Sequence, residues 1–245
     1  MKKTSKFKII ENYIKEQIAN DKLKVGDQIM TEEQLCKHFG VSRMTVNKAL
    51  TNLTELGYIN RIPGKGSFVT TPHVSKNITK KSSFTEDMKE IGLKAGSRLI
   101  SYQILRGETI PHIAKLLKLK DDDLIHYFIR LRTGNNTPIA ISYTYISANV
   151  IPAIDVKSLD RSFYEFLNKK GIVRSILNWE IKALMPTDYQ KQLLNITGNN
   201  TALLKVCHTT HCIIGDNDAV PFEYIETCYN SDLYSYHLQT DERAG

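Results

Sequence analysis

Residues 31–56, TEEQLCKHFGVSRMTVNKALTNLTEL, constrain the fold more than any other stretch, because they contain two closely spaced helix starts. Thr31 and Gln34 match the capping-box pattern, in which a hydroxyl group and an amide side chain satisfy free amide groups at the first helical turn. Gly40 ends this helix, and Ser42 is the predicted N-cap of the next one. The sequence therefore predicts two short helices joined by a tight turn.

The second predicted helix has an apolar face and a polar N-terminal end. Its apolar residues recur at helical spacing and are Val46, Ala49, Leu50 and Leu53. The polar residues near its start are Ser42, Arg43, Thr45, Asn47 and Lys48. Arg43 and Asn47 lie one turn apart, and their side chains can pair with the edges of guanine and adenine in the major groove. The polar residues are therefore predicted DNA contacts of a recognition helix.

Residues 58–69, YINRIPGKGSFV, predict a β-hairpin that follows the recognition helix. Its turn contains Gly64, Lys65 and Gly66, and glycine lets a backbone approach a phosphate or a minor groove closely. An ordinary hairpin with a glycine turn is the alternative interpretation. Charge favours DNA binding, because residues 1–72 hold 12 Lys and Arg against 7 Asp and Glu, whereas the rest of the chain holds 21 against 19.

The length of 245 residues predicts two domains, since single domains usually span about 100–200 residues. The polar stretch 71–82 lacks an apolar period, and we expect it to link a DNA-binding domain at 1–70 to a second domain at 83–245. The second domain opens with Ser83 and Glu86, which match another capping box. Beyond them, β-like runs that alternate with helix signals predict an α+β fold with a mainly antiparallel sheet.

Arg130 and Arg132 lie two residues apart in the run LIHYFIRLR, so a β-strand would place both side chains on one face of the sheet. Two guanidinium groups on one face suit an anion that accepts paired hydrogen bonds, above all a phosphate. Two exposed, solvated side chains are the alternative. Glu223, in the run PFEYIETCY, is either a solvent-facing carboxylate or an acceptor for ligand hydroxyl groups.

Cys207, His208, His211 and Cys212 are residue types that bind zinc, and on a helix they would lie near one another. The surrounding run LLKVCHTTHCII is rich in apolar and β-branched residues, which predicts a strand. A strand would direct these side chains to opposite faces. We therefore expect no metal site and no cofactor, and the absence of a CxxC pair among the four cysteines favours reduced thiols.

The helix, turn and hairpin signals occur together in one order. Residues 7–69 contain a first helix, a turn ending in Gly-Asp, a capped helix, a Val-Ser-Arg-x-Thr-Val helix and a Gly-Lys-Gly-x-Phe-Val hairpin. This order resembles the GntR-type bacterial transcription regulators. Residues 83 to about 236 contain SFTEDM, RLR, TPIAIS, SFYEFL and PFEY, and resemble the UTRA effector-binding domain of the HutC subfamily. The resemblance implies a winged helix-turn-helix domain followed by a UTRA domain whose fold is similar to chorismate lyase.

The resemblance also implies roles for individual residues. The implied DNA contacts are Arg43 and Thr45, with Gly64, Lys65 and Gly66 in the wing. The implied effector-binding residues are Phe84, Thr85, Arg130, Arg132, Ser142, Ser162, Tyr164, Glu223 and Tyr229. Phe84 and Thr85 would offer helix-start amides and a hydroxyl group to a phosphate. Three positions depart from the family pattern: Glu33 and Asn47 replace arginines, and Ser142 replaces a frequent glutamate.

The resemblance implies a transcription regulator, most often a repressor in this family, that binds double-stranded operator DNA and an effector such as an amino-sugar phosphate. A palindromic operator needs two recognition helices, so we expect a homodimer. The alternatives are a regulator of the same architecture that senses a different anionic metabolite, and a lyase-like enzyme. The sequence contains no recognisable pairing of a catalytic nucleophile with a base, which disfavours the enzyme. No apolar run approaches the roughly 18 residues that span a bilayer, so we expect a soluble cytoplasmic protein with no membrane partner.

Overall fold

The structure is a computed structural model that describes residues 5–20, 22–70, 73–79, 82–160, 162–214 and 218–238. Its chain divides into two compact units. The first unit contains the described residues up to Val74 together with Met88–Lys94, and the second contains Ser75–Asp87 and the described residues from Ala95 onward. No helix within these described ranges is long and apolar enough to cross a membrane.

The first unit is a three-helix cluster followed by a β-hairpin. Its elements are α1 (Lys6–Ala19), α2 (Glu32–Phe39), α3 (Arg43–Glu55), β1 (Ile59–Ile62) and β2 (Gly66–Val69). The core side chains come from all three helices and are Ile10, Ile14, Leu35, Val46, Ala49, Leu50 and Leu53. Strands β1 and β2 pair antiparallel, which confirms the predicted hairpin.

Both predicted helix starts in this unit are confirmed. The Thr31 hydroxyl accepts a hydrogen bond from the Gln34 amide at 3.3 Å, and the Gln34 side chain accepts one from the Thr31 amide at 2.8 Å. Gly40 ends α2 in the left-handed conformation, with φ at 58°. The Ser42 hydroxyl then caps α3 by accepting a hydrogen bond from the Thr45 amide at 3.4 Å. Local capping therefore sets the direction of α3, since it fixes where each helix begins and ends.

The second unit is built on a six-stranded antiparallel sheet. The remaining helices are α4 (Phe84–Glu90), α5 (Pro111–Leu116), α6 (Phe163–Lys169) and α7 (Asp188–Leu194). The remaining strands are β3 (Val74–Asn77), β4 (Ala95–Arg106), β5 (Leu124–Gly134), β6 (Thr137–Ser147), β7 (Arg174–Leu184), β8 (Leu203–Ile214), β9 (Asp218–Asn230) and β10 (Tyr234–His237). The strand order in the large sheet is β4-β5-β6-β9-β8-β7. This mixture of helices with an antiparallel sheet confirms the predicted α+β class.

The stretch 71–82, predicted to be a linker, contains strand β3, which pairs with β10. The prediction of an irregular linker is therefore wrong for the residues of β3. Its four residues alternate between buried and more exposed side chains, a short period-two pattern that the polar composition concealed. Residues 71, 72, 80 and 81 lie outside the described residues, and the limits of the predicted domains stay predictions.

Both faces of the large sheet carry apolar side chains that pack against helices. On one face, Phe128, Ile146 and Phe222 pack against Phe163 and Leu167 of α6. The other face packs against α7 and contributes Leu131, Ile141 and Cys228, which cluster with Leu194. Because successive side chains of a strand alternate between faces, β5 contributes Phe128, Arg130 and Arg132 to the face that packs against α6.

Candidate nucleic-acid interface and effector-binding site

The N-terminal end of α3 presents polar side chains to solvent. The Arg43 side chain is 82% exposed, and Lys48 is also exposed. The Ser42 hydroxyl lies 3.0 Å from the Thr45 hydroxyl, so the cap and its neighbour form one polar edge. This surface has the exposure and the donor groups that a recognition helix needs to enter the major groove.

A side-chain network that no local sequence pattern indicates joins this helix to the hairpin. The Glu32 carboxylate accepts hydrogen bonds from Arg43 Nε at 3.0 Å and from Arg61 Nη2 at 2.7 Å. Arg61 Nη1 also donates to Asn47 Oδ1 at 2.8 Å. Of the predicted DNA contacts, Asn47 therefore already uses its side-chain oxygen within the protein. Glu33 instead forms an exposed ion pair with Lys37 at 2.7 Å, one helical turn away.

The turn of the hairpin requires glycine at two positions. Gly64 has φ at 74° and Gly66 has φ at 118°, which L side chains rarely adopt. Gln28 Nε2 donates a hydrogen bond to the Lys65 carbonyl at 3.0 Å, so the turn is held against the preceding loop. The predicted wing residues therefore occupy a fixed, tight turn.

A cavity lies on the face of the sheet that packs against α6, and the space between its lining atoms totals about 720 Å³ with open solvent included. Most of the predicted effector-binding residues line it, namely Phe84, Thr85, Arg130, Arg132, Ser142, Ser162, Tyr164 and Tyr229. Glu223 lies beside the cavity, where its Oε2 accepts a hydrogen bond from the Tyr164 hydroxyl at 3.2 Å.

Arg130 and Arg132 are the main charged groups of this cavity. They are only 5% and 7% exposed, so the interpretation of two solvated side chains is wrong. The Arg130 guanidinium lies 5.3 Å from the ring centre of Phe128, and the Arg132 guanidinium lies 4.6 Å from that of Phe84. Aromatic faces attract these cations without neutralising them. Among the described residues, Arg130 Nε and Nη1 and Arg132 Nε have no hydrogen-bond partner.

Burial makes the charge on these arginines costly. Loss of solvation lowers the pKa of Arg130 to about 10, although the Glu223 carboxylate opposes the shift. Loss of solvation and the nearby Arg130 lower the pKa of Arg132 to about 9. Both values remain above neutral pH, so both groups are cations there. Two buried cations that lack a full set of acceptors form a site ready for an anion.

The remaining predicted effector-binding residues add polar groups around these cations. Glu223 is completely buried, so its interpretation as a solvent-facing carboxylate is wrong. Burial raises its pKa, and Arg130 is among the groups that oppose this rise. Ser142 is buried, and its hydroxyl has no partner within the described part of the chain. The Ser162 hydroxyl caps α6 by accepting a hydrogen bond from the Glu165 amide at 3.4 Å.

The segment that contains Phe84 and Thr85 is held in place by a buried ion pair. Lys76 Nζ donates to Asp87 Oδ2 at 2.9 Å and to the Ser82 carbonyl at 2.7 Å. The Tyr234 hydroxyl donates to the same Asp87 oxygen at 3.0 Å. Residues from β3, α4 and β10 thus fix the start of α4 at the cavity wall, a long-range arrangement with no signal in the sequence.

The opposite end of the cavity is aromatic and was not predicted. Trp179, His208 and Tyr236 line it together with Thr227. Their positions on three different strands explain why no local motif marked them. The sequence singled out His208 only as a candidate zinc ligand.

The predicted strand through the cysteine and histidine cluster is confirmed. These residues lie on β8, where alternate side chains point to opposite faces of the sheet. Within the described ranges, no group of three or more His, Cys, Asp and Glu residues could hold a metal ion. Burial raises the pKa of the Cys207 and Cys212 thiols, so these groups are protonated at neutral pH.

Comparison with known proteins gives the same two-part architecture. Residues 8–69 match the bacterial regulatory proteins of the gntR family, and residues 90–235 match the UTRA domain. The chain is 30% identical over 231 residues to the HTH-type transcriptional repressor NagR of Bacillus subtilis, covering 94% of this chain and 92% of that protein. It is 29% identical over 233 residues to the mannosyl-D-glycerate transport/metabolism system repressor MngR of Escherichia coli, covering 95% and 94%.

A solved structure supports the fold over nearly the whole chain. The crystal structure of PhnF from Mycobacterium smegmatis superposes with a TM-score of 0.68 at 20% sequence identity, covering 95% of this chain and 99% of that one. The capped recognition helix, the glycine hairpin and the antiparallel sheet with its cavity agree with these matches. The chain therefore belongs to the GntR family of bacterial transcriptional regulators and carries a HutC-type UTRA domain.

Proposed function

We propose that this regulator is a repressor whose effector is a phosphorylated sugar, with an amino-sugar phosphate as the first candidate. The pair of buried arginines in the cavity of the UTRA domain carries the proposal. Arg130 and Arg132 project from one strand face and retain donor atoms without partners among the described residues. A phosphate monoester offers a compact dianion with several acceptor oxygens, which suits two guanidinium groups.

The charge balance of the cavity supports an anionic ligand. Glu223 is the carboxylate whose charge acts on Arg130, and its own pKa is raised by burial. One carboxylate beside two guanidinium groups leaves an excess of positive charge. A bound phosphate would supply the missing negative charge, so we expect phosphorylated ligands to bind more tightly than their unphosphorylated parents.

The polar groups beyond the arginines support a carbohydrate. Ser142, Thr227 and the Tyr164 hydroxyl provide donors and acceptors at distinct points of the cavity lining. Related repressors carry names that refer to carbohydrate use, such as the mannosyl-D-glycerate system and fructoselysine utilization. A different anionic metabolite sensed by the same architecture is the alternative, and the ligand panel below separates the two.

We infer that operator binding uses a homodimer, because each chain carries one recognition helix and a palindromic site needs two. Ser42, Arg43, Thr45, Asn47 and Lys48 would face the major groove, and Gly64, Lys65 and Gly66 would approach the backbone. Effector binding would change operator affinity by a coupling free energy of about 1–3 kcal/mol. The role is regulatory rather than enzymatic, and we place it in the cytoplasm, where the operator lies.

The effector proposal is tested by thermal denaturation with glucosamine 6-phosphate, N-acetylglucosamine 6-phosphate, their unphosphorylated parents and inorganic phosphate. A ligand that binds only the folded state raises Tm by mass action. We expect a rise with a sugar phosphate, none with its parent, and loss of the rise in Arg130→Met. Arg98→Met removes an exposed arginine of the same unit and serves as the control. An equal response to parent and phosphate would contradict the proposal.

The DNA-binding assignment has a separate test. Arg43→Ala should reduce operator affinity, because it removes an exposed guanidinium from the recognition helix. Lys120→Ala removes an exposed charge from the second unit and controls for the change in net charge. Fluorescence anisotropy with operator DNA measures both variants at one fixed salt concentration. Equal affinities of the two variants would rule out this role for Arg43.

A further inference from the structure

Strand β7 carries an irregularity at the aromatic end of the cavity. Its register against β8 shifts between Leu177 and Glu180, so that Asn178 and Trp179 together lie opposite His208. Asn178 has a positive φ of 56°, as a residue in such a bulge often does. A β-bulge changes the direction of neighbouring side chains and is frequent beside functional sites. This bulge turns Trp179 toward the cavity.

Trp179 and His208 form a stacked pair. Their ring centroids lie 5.2 Å apart and their planes differ by only 12°. Tyr236 meets Trp179 edge-on, with centroids 6.4 Å apart and planes at 79°. All three rings line the same cavity as Arg130 and Arg132. The cavity therefore has a cationic end and an aromatic end.

His208 has hydrogen-bonding capacity that the described residues do not use. Neither ring nitrogen has a partner among them, although both atoms are buried. Burial lowers the pKa of His208 to about 4, with a smaller contribution from the Lys76 cation. The imidazole is therefore neutral at pH 7 and offers one donor and one acceptor. Unused polar atoms at a cavity wall are available to a ligand.

The sheet register gives the separation of the two ends. Arg130 lies on β5 and His208 on β8, with β6 and β9 between them. Three strand spacings amount to about 14 Å between the backbones. The side chains of the two residues shorten this gap from both sides. A ligand that carries a ring or a longer group beyond its phosphate can contact both ends at once.

We propose that Trp179 and His208 form the ring-binding half of the effector site and select a phosphorylated carbohydrate. The apolar face of the sugar ring packs against the Trp179 and His208 pair, and a ring hydroxyl group pairs with the imidazole. This inference rests on the proposed phosphate site at Arg130 and Arg132 and extends it, since it assigns the residues that distinguish a sugar phosphate from free phosphate.

Intrinsic fluorescence gives a direct test, because Trp179 is the single tryptophan of the chain. We expect glucosamine 6-phosphate to change its emission in a saturable titration with the full-length protein. Inorganic phosphate should compete with that titration and leave the emission of the ligand-free protein nearly unchanged. An unchanged emission at sugar phosphate concentrations that saturate the Tm shift would overturn the inference.

Two variants separate the ring from the hydrogen bond. Trp179→Ala should weaken glucosamine 6-phosphate binding by about tenfold in calorimetry, because it removes the stacking surface. His208→Phe keeps an aromatic ring but lacks nitrogens, so we expect about three- to tenfold weaker binding while the emission change persists. Both variants should bind inorganic phosphate as the parent protein does, which also shows that they are folded.

The possible outcomes distinguish this inference from the proposed function. Loss of sugar phosphate binding in Arg130→Met, with unchanged binding in Trp179→Ala, would overturn the ring-binding role and leave the phosphate site in place. Failure of every phosphorylated ligand to bind would overturn both. A nucleoside monophosphate that binds more tightly than the sugar phosphates, in a Trp179-dependent manner, would overturn the assignment to a carbohydrate.

Discussion

Arg132→Met is expected to stabilise the ligand-free protein while abolishing its response to phosphate ligands. The arginine is almost completely buried, and the neighbouring Arg130 cation adds to the cost of its charge. Loss of solvation lowers the pKa of Arg132 to about 9, so at about 1.4 kcal/mol per pH unit the folded environment opposes this cation by an energy on the order of several kcal/mol. Methionine fills a similar volume without a charge.

The measurable gain in stability is smaller than this cost, because local relaxation around a buried ion already recovers part of it. Replacement of buried ionic groups by apolar residues of similar volume stabilises proteins by about 1–4 kcal/mol. For a chain of this size, each kcal/mol raises Tm by about 2–4 °C. We therefore expect Arg132→Met to raise the Tm of the ligand-free protein by roughly 2–16 °C.

Differential scanning calorimetry with and without glucosamine 6-phosphate measures both effects. The parent protein should show a ligand-dependent Tm rise, whereas Arg132→Met should start from a higher Tm and show none. Arg98→Met, which replaces an exposed arginine on β4, should leave both quantities unchanged. A variant at position 132 that is less stable than the parent without ligand, or that keeps the full ligand response, would refute the reasoning.

Three further perturbations follow from the structure. Burial lowers the pKa of the His208 imidazole from 6.5 to about 4 in the folded protein. The unfolded chain therefore binds a proton at a higher pH than the folded one, and the unfolding free energy should fall by up to about 3 kcal/mol as pH decreases through this window. Urea titrations of His208→Phe should lack this part of the decrease. Glu32→Gln removes the carboxylate that holds Arg43, so non-specific DNA affinity should rise about threefold and its salt dependence should steepen by about one charge in anisotropy titrations; an unchanged salt slope would contradict this. Gly107→Ala places a Cβ 2.2 Å from the Lys120 carbonyl oxygen and should cost about 1–3 kcal/mol in thermal unfolding. Gly198→Ala, which meets nothing within 4 Å, is its control.

Local signals predicted most of the secondary structure. The caps at Thr31 and Ser42 could be predicted because a hydroxyl group and its amide partner lie three residues apart. The Gly-Asn-Asn turn between β5 and β6 is a local signal of the same kind, since Asn135 and Asn136 both have the positive φ that such turns need. The strand period also placed Arg130 and Arg132 on one face. These features depend only on neighbours in sequence.

Convergence between distant segments could not be predicted. Glu32 and Arg61 come from α2 and β1, so their network with Arg43 and Asn47 exists only after the helices pack. Trp179 lines the cavity because of a β-bulge that the flanking sequence does not predict. The alternation of side chains along a strand predicts which residues share a face of the sheet, but it does not predict which element covers that face. The sequence therefore could not decide between buried and solvated side chains for the two cavity arginines.

The pairing of β3 with β10 has a consequence for synthesis. The two strands join residues near the start of the second unit to Tyr234–His237, with nearly the whole unit between them in sequence. Such non-local pairing forms slowly and only after the last strand has left the ribosome. The recognition helix is complete much earlier. We expect a nascent chain to acquire a folded DNA-binding unit before its sensor matures, so limited proteolysis of ribosome-arrested chains lacking Tyr234–His237 should leave residues of the first unit protected and cut those of the second.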